Sequence, residues 1–168
     1  MNRLIILTIW LASFLSSQDF HEYKMNSYGM KEKVRTYSKS YNGGYDVYEY
    51  NSYGMKVKVG SVENLPNGIS NTYKYNSYGM KEKTGTSIEN SSGDIDTYKY
   101  NNYGLKVKSG VYKKNYNGDI DYYEYNSYGM KEKVRTYSKS YNGGYDVYEY
   151  NSYGMKVKVG TVDNIPNY

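Results

Sequence analysis

Hydrophobic and polar residues alternate along most of the chain in short runs, and glycine-containing turns separate these runs. In residues 45–51, Tyr48 and Tyr50 share one face of an extended segment while the residues between them share the other. In residues 55–63, lysines alternate in the same way with Met or Val. A period of two is typical of β-strands, and the chain shows no helical period. The pattern therefore predicts an all-β fold with strands of roughly seven to nine residues.

The alternating runs belong to a unit of 25 residues that repeats without an insertion. Each unit is built on Tyr-x-Tyr-Asn-Ser-Tyr-Gly-Met-Lys-x-Lys and continues into a variable arm. The residue between the two lysines alternates between Glu and Val in successive units. Residues 26–60 are identical to residues 126–160, which indicates the duplication of a block of four units. We therefore divide residues 23–168 into six units that form a single domain, with the last unit truncated.

Each unit contains two turns and is predicted to form one hairpin. The Asn-Ser-Tyr-Gly segment can close a tight turn with Gly in the left-handed conformation. The Asn-Gly dipeptide of the variable arm is typical of a two-residue hairpin turn. Six hairpins cannot each bury a core, so we predict that they pack into an elongated meander or superhelix. In this arrangement, a strand that carries a glutamate such as Glu49 lies beside a lysine strand. The alternative is a β-solenoid with one unit per coil, in which equivalent lysines would repel at ~4.8 Å.

The first residues of the chain have the pattern of a secretion signal. Arg3 precedes an uncharged run at residues 4–15, which is shorter than the ~20 residues of a membrane-spanning helix. We predict a signal peptide at residues 1–17, a short segment at residues 18–22, and no integral membrane segment after cleavage. The mature protein would then be extracytoplasmic, whether secreted, periplasmic or on the cell surface. The alternative is an uncleaved anchor at the N-terminus.

The composition limits the classes of function. The chain has no cysteine, so neither a disulfide nor a thiolate metal site can form. Its 27 tyrosines favour strands over disorder, although the mean hydropathy is −0.91. The net charge of +5 is small and evenly spread. The acidic residues and the export signal also oppose a nucleic-acid partner, so we expect none.

The repeated motif resembles the cell-wall-binding repeats of the choline- and glucan-binding type. Units of that type combine an aromatic pair, Asn-Ser-x-Gly, a Met-like residue and a later Gly, and the resemblance covers residues 23–160. It implies β-hairpins wound into a superhelix, with shallow ligand sites lined by residues such as Tyr48, Tyr50 and Tyr53. Those repeats are rich in Trp, whereas the only Trp here is Trp10. A second resemblance is to the tyrosine–aspartate repeats of bacterial shell proteins, in which Asp stands where this chain has Asn.

No group of residues in the sequence assembles a catalytic site. The single histidine, His21, lies outside the first unit, and no base stands in register with the recurring serines. Asp94 with Asp96, and Asp119 with Asp121, share strand faces and could bind calcium through oxygen ligands. We favour solvated carboxylates beside turns, because other units have no such pair. We therefore predict that the protein is not an enzyme and has no cofactor and no metal.

The repeated Tyr and Lys positions are the candidate ligand-binding residues. We expect the rows of Tyr48 and Tyr50 to supply the core, because Tyr is the main large side chain available. The Tyr of the Asn-Ser-Tyr-Gly turn is expected to stay exposed and to stack on sugar rings. The lysines after this turn either form a solvated strand face or contact an anionic polymer. The candidates are Tyr28, Tyr53, Tyr78, Tyr103, Tyr128, Tyr153, Lys56, Lys58, Lys106, Lys108, Lys156 and Lys158.

These features predict a non-catalytic binding or adhesion protein. It would contact cell-surface or extracellular polysaccharide through repeated Tyr and Lys positions, each weak alone but effective together. The alternative is a structural or self-assembling surface protein that binds no small ligand and whose hairpin edges pair with other copies. An enzyme is the least favoured class.

Overall fold

The computed structural model describes residues 19–41 and 43–163. The predicted signal peptide at residues 1–17 and the last five residues lie outside this part of the chain. The described residues form twelve antiparallel strands that close into a barrel, with the strands in sequence order around it. They contain no helix with the length and apolar character needed to cross a membrane.

The strands and the one short helical turn follow the 25-residue repeat, with two strands for each unit. They are β1 (Phe20–Met25), β2 (Lys31–Lys39), β3 (Tyr45–Tyr50), β4 (Lys56–Leu65), the 3-10 turn (Pro66–Gly68), β5 (Ile69–Tyr75), β6 (Lys81–Glu89), β7 (Ile95–Tyr100), β8 (Lys106–Lys114), β9 (Ile120–Tyr125), β10 (Lys131–Lys139), β11 (Tyr145–Tyr150) and β12 (Lys156–Val162). Consecutive strands pair as hairpins, so the predicted all-β fold of repeated hairpins is confirmed.

The prediction of an elongated meander, superhelix or solenoid is wrong, because the sheet closes on itself. Strand β12 pairs with β1 through Glu22–Val162, Tyr23–Thr161 and Lys24–Gly160. These two strands occupy the same places in the repeat as β4 and β5, which pair in the same direction. Strand twist and coiling accumulate over the successive hairpins and bring the first and last strands together. Closure satisfies the two edges that an open sheet of this size would expose.

One β-bulge in each repeat contributes to the curvature of the sheet. In the hairpin of β3 and β4 the register shifts between Val47 and Tyr48, and Val59 is the extra residue on the opposite strand. A bulge bends its strand and increases the local twist. It also explains the order of side chains after the turn, since Lys56 and Lys58 pair with Tyr50 and Tyr48 on the outer face. The extra residues are Val34, Val59, Thr84, Ser109, Val134 and Val159.

The predicted Asn-Ser-Tyr-Gly turn is confirmed, with Gly in the left-handed region. In the first unit Gly29 has φ +74° and donates its N–H to the Asn26 carbonyl at 3.0 Å. The Asn26 side-chain oxygen accepts the N–H groups of Tyr28 and Met30, each at 3.0 Å. This Asx arrangement fixes the four-residue turn from within.

The variable-arm turns differ from the predicted two-residue form. At residues 115–119 the same four-residue pattern recurs, because Gly118 donates to Asn115 and the Asn115 N–H donates to Asp119. Among the described non-glycine residues, only Asn67 has a positive φ, at 65°. A two-residue type I′ turn needs positive φ at both central residues. Among the described Asn-Gly dipeptides, only Asn67-Gly68 meets this condition.

The core lies inside the barrel towards the variable-arm turns, and its tyrosines come from the variable arms. Tyr37 stacks on Phe20 with a centroid distance of 4.6 Å, and Tyr112 stacks on Tyr122 at 4.3 Å. The expectation that the rows of Tyr48 and Tyr50 form the core is wrong, because these rows lie half-buried on the outer face. The core consists of Phe20, Tyr37, Tyr45, Val47, Val62, Ile95, Tyr112, Ile120, Tyr122, Tyr137, Tyr145, Val147 and Val162.

A methyl group at Gly60 is expected to destabilise the barrel, whereas one at Gly85 is tolerated. A Cβ on Gly60 would lie 2.3 Å from the Tyr73 carbonyl oxygen of the next strand, and one on Gly85 would lie 3.1 Å from its nearest atom. Both obstacles are backbone carbonyl oxygens, but only the one at Gly60 lies closer than a real Cβ can approach, so Gly60→Ala should cost about 1–3 kcal/mol and Gly85→Ala clearly less. Urea unfolding followed by circular dichroism measures both. Equal losses in the two variants would contradict the close approach at Gly60.

Candidate functional site

Six equivalent turns form a ring at one end of the barrel, which we call the turn crown. It consists of residues 26–30, 51–55, 76–80, 101–105, 126–130 and 151–155. Its six tyrosines are 84–88% exposed, and the Met or Leu two positions later is 57–62% exposed. Such a grouping of large exposed side chains on one rim is typical of an interaction surface. The crown tyrosines are Tyr28, Tyr53, Tyr78, Tyr103, Tyr128 and Tyr153.

The crown tyrosines are held by their backbone and not by packing of their rings. In the second unit, the Tyr53 N–H donates to the Asn51 side chain at 3.0 Å and the Met55 N–H donates to the same oxygen at 2.9 Å. The same pair of bonds recurs in every crown turn, at 2.9 to 3.0 Å. The turn is therefore rigid while the aromatic face stays open to solvent. This pre-organisation lowers the entropy that a ligand must overcome on binding.

The candidate lysines lie on the outer wall just beyond the crown, where each contacts a side chain of the preceding strand. Three of them sit over a Tyr of the preceding strand, and the other three pair with an Asp of that strand. The first set is Lys56 over Tyr48 at 4.1 Å, Lys106 over Tyr98 at 4.6 Å and Lys156 over Tyr148 at 4.2 Å. The second set is Lys58 with Asp46 at 2.8 Å, Lys108 with Asp96 at 2.9 Å and Lys158 with Asp146 at 2.8 Å.

The second set of lysines connects neighbouring repeats. Lys58 bonds Asp46 of the preceding unit and lies 5.5 Å from the ring centre of Tyr75 in the next unit. The bond to Asp46 raises the pKa of Lys58, so this ammonium group stays charged at neutral pH. The Lys58 side chain is 39% exposed and that of Asp46 is 25% exposed, and an ion pair so accessible to solvent contributes little to stability. The lysines therefore form a basic wall whose charges are partly compensated.

Three of the four aspartates considered for calcium form ion pairs with lysines. Asp96 bonds Lys108, Asp121 bonds Lys133 at 2.8 Å, and Asp94 bonds Lys113. Within the described residues, no group of three or more His, Cys, Asp or Glu side chains could hold a metal ion. The geometry therefore favours ion pairing over calcium at these positions.

His21 contacts the Thr36 hydroxyl at 3.0 Å on the outer face.

A cavity inside the barrel was not predicted from the sequence. It has a volume of about 980 Å³ and is lined by charged side chains that include Glu22, Glu49, Glu124, Glu149, Arg35 and Arg135. Interior side chains can fill a closed barrel of eight strands, but a barrel of twelve strands encloses more space. The aromatic core fills the part near the variable-arm turns, and the cavity occupies the part towards the crown. We call this cavity the lumen.

The position between the two lysines of each unit, which alternates between Glu and Val, lies on the inner face of the sheet at the crown end, and Glu32 lines the lumen. This position faces inward, since Glu32 lies directly across from Lys24 and Val57 across from Glu49. The sequence signal for the lumen was therefore present in this alternation. A second signal was Arg at positions 35 and 135, where the other four units have Gly.

Two buried arginines provide the strongest electrostatic interactions in the lumen. Arg35 bonds Glu22 at 3.0 Å and Glu49 at 2.5 Å. Burial by itself would lower the pKa of Arg35, but Tyr37 and the two glutamates outweigh that effect and raise it. The guanidinium is therefore charged at every pH at which the protein is folded. The prediction that the strand carrying Glu49 lies beside a lysine strand is confirmed, since β3 pairs with β4, but the carboxylate of Glu49 pairs with Arg35 on the inner face.

No protein-family model and no curated protein matches this sequence. The resemblance to cell-wall-binding repeats rests on the repeated motif and stays a prediction. The function is accordingly inferred from the geometry of the turn crown and the lumen.

Proposed function

We propose that this protein is a non-catalytic binding or adhesion protein that contacts cell-surface glycan through the turn crown. The observation that carries the proposal is the ring of six equivalent tyrosines, each 84–88% exposed on a rigid turn. The export pattern at residues 1–17 supports an extracytoplasmic location, where such glycans occur.

The chemistry of the crown fits a carbohydrate. A Tyr ring offers an apolar face to the C–H groups of a sugar and a hydroxyl to its oxygens. The neighbouring Met or Leu extends the apolar area beside each ring. The basic wall behind the crown attracts anionic polymers at a range limited to about 8 Å at physiological salt. An acidic polysaccharide or phosphate-bearing wall polymer would use both features.

The repetition of the crown suits a polymer with repeated sugars. A single exposed Tyr binds weakly, but six on one scaffold raise the effective concentration of each further contact. The scaffold is closed, so the spacing of the six sites is fixed by the barrel. A repeating glycan can therefore engage several turns at once without ordering the protein.

Replacing three crown tyrosines is expected to abolish most of the binding. The test variant is Tyr53→Ala with Tyr103→Ala and Tyr153→Ala, measured by retention on a panel of wall and capsular polysaccharides. Loss of three contacts worth about 1 kcal/mol each lowers the affinity roughly 100-fold. Circular dichroism should stay unchanged, because these rings pack against nothing in the core.

The opposite end of the barrel supplies a matched control. Tyr41, Tyr116 and Tyr141 are 97–104% exposed on the variable-arm turns, and their replacement by Ala removes the same three rings. This control should be retained like the unmodified protein. Equal loss in both triple variants would overturn the assignment to the crown. Retention that falls with salt would implicate the lysines, and retention insensitive to salt the tyrosines.

Light scattering on the same protein samples tests the alternative of a self-assembling surface protein. That alternative relied on free hairpin edges, and each strand in the described part of the chain pairs on both sides. Concentration-dependent growth in light scattering, with no polysaccharide retained, would support assembly and contradict glycan binding.

A further inference from the structure

The two identical stretches of the chain meet different neighbours in the barrel. Residues 26–60 and 126–160 have the same sequence, so Arg35 and Arg135 occupy equivalent places. The strand before each stretch differs, since β1 carries Glu22 and Lys24 where β9 carries Tyr122 and Glu124. The protein therefore contains an internal comparison of one lumen segment in two electrostatic settings.

In the first setting, charges at directly facing positions of the lumen balance each other in pairs of opposite sign. Arg35 bonds both Glu22 and Glu49. Lys24 lies directly across from Glu32, and in the third unit Lys74 lies directly across from Glu82. Opposite charges at directly facing positions stabilise a pair of strands.

In the second setting the balance is lost. Glu124 lies directly across from Glu132, so two residues of like charge occupy facing positions at the mouth of the lumen, and one oxygen of Glu132 accepts a hydrogen bond from the Asn126 side chain at 2.8 Å. Like charges at such positions are destabilising, and a cation between them would remove the repulsion. Both residues face inward on their strands, and Glu124 lines the cavity.

A second, independent observation lies next to this pair. Arg135 is only 9% exposed and lines the same cavity. Its guanidinium bonds Glu149 and lies 3.4 Å from the Tyr137 hydroxyl, but its Nε–H has no partner among the residues that the structure describes. A buried donor without an acceptor is destabilising because it has lost its hydrogen bond to water, so an oxygen acceptor supplied by a ligand would be favoured here.

We propose that this side of the lumen, formed by Glu124, Glu132, Arg135 and Glu149, binds an amino-sugar unit of the glycan. The protonated amine bridges Glu124 and Glu132, and a ring hydroxyl oxygen accepts the Nε–H of Arg135. The volume of about 980 Å³ lies within the range of small-molecule sites and holds one or two sugar rings. Because the aromatic core closes the far side, the unit enters from the crown as a chain end.

This inference rests on the proposed glycan-binding function and specifies the sugar. The crown tyrosines recognise ring faces, which most sugars share. The carboxylate pair recognises a free ammonium group, which an N-acetylated sugar lacks. The lumen therefore supplies the specificity and the crown supplies the repeated contacts.

Titration calorimetry with two soluble probes tests the amino-sugar site. The probes are a glucosamine oligosaccharide and its N-acetylated counterpart of equal length. We expect the deacetylated probe to bind at least tenfold more tightly. Glu124→Lys should remove this preference, because it restores the Lys–Glu pair found at Lys24–Glu32 and Lys74–Glu82, and it should leave the fold intact. Glu89→Lys, an equal charge change at an exposed position near the variable-arm turns, is the control and should keep the preference.

The outcomes separate the failure of this inference from the failure of the proposed function. Equal binding of the two probes, or a preference that survives Glu124→Lys, overturns the amino-sugar site. If neither probe binds while the unmodified protein is still retained on polysaccharide through its crown, only the lumen site is overturned. If the crown variants show no loss of retention but the amine preference depends on Glu124, the lumen site stands and the role of the crown is overturned.

Discussion

The barrel is expected to lose stability steeply as the pH rises from 10 to 12, because its core is built from protonated tyrosines. Burial raises the pKa of Tyr122 to about 12, from an ordinary value of 10.0. Burial also raises the pKa values of Tyr37, Tyr112 and Tyr137. In the unfolded chain these phenols lose their protons near pH 10, while in the folded barrel they keep them. The unfolded state is therefore favoured progressively above pH 10, and below that pH the full stability is present.

The loss assigned to Tyr122 alone is about 3 kcal/mol, since one pKa unit corresponds to about 1.4 kcal/mol. Urea unfolding at a series of alkaline pH values measures it, with tyrosinate absorbance recorded on the same samples. Lysine deprotonation also weakens the outer ion pairs in this range, so Tyr122→Phe is the needed control. This variant should show a shallower fall of unfolding free energy between pH 10 and 12. An unchanged slope would contradict the role of the buried phenol.

Truncating one core tyrosine is expected to cost more than any change on the crown. Tyr137 is 1% exposed and lies 6.3 Å from the ring of Tyr112, so Tyr137→Ala leaves a large cavity in the barrel. A loss of about 3–5 kcal/mol in the free energy of unfolding follows from such a truncation. Thermal and urea denaturation monitored by near-ultraviolet circular dichroism would report it.

Tyr141 provides the control in the same unit of the repeat. It lies four positions further along the chain and is 103% exposed. Tyr141→Ala should change the unfolding free energy by less than about 0.5 kcal/mol. Comparable losses at the two positions would mean that Tyr137 does not carry the core.

The local features of the fold were predictable because they depend on neighbouring residues. Alternation with a period of two separated Tyr48 and Tyr50 from Val47 and Glu49, and the structure places these pairs on opposite faces of β3. The Asn-Ser-Tyr-Gly turn required a left-handed Gly, and Gly54 has φ +74°. Both results follow from strand and turn geometry alone.

The inner and outer faces could not be assigned from the same pattern, because each face carries tyrosine. Tyr45 and Tyr48 belong to one strand, yet Tyr45 is 7% exposed in the core and Tyr48 lies on the outer wall. The decision comes from the lysines, since Lys56 packs over Tyr48 and must reach solvent. That contact depends on a cross-strand register that the bulge at Val59 shifts by one residue.

Closure and the lumen were beyond local reasoning for a different reason. Whether β1 reaches β12 depends on the summed twist of eleven hairpin connections, and no single repeat contains that information. The structure places the candidate tyrosines in exposed turns and the candidate lysines on the strands that follow, whereas the charged cavity behind them required the ring to be complete. Arg35 and Arg135 were visible in the sequence as departures from Gly, and the contact of Arg35 with Glu22 became evident only from the pairing of β1 with β2.

Closure of the sheet by β1 and β12 has a consequence for how such a chain can change its length. In an open array, an added 25-residue unit extends the molecule and leaves the existing units as they were. In a ring, each added or lost unit changes the circumference by two strands, and with it the width of the interior and the angle between neighbouring sites. The number of units therefore sets the width of the barrel. A duplication that adds units to this chain widens the molecule, whereas in an open array it would lengthen it.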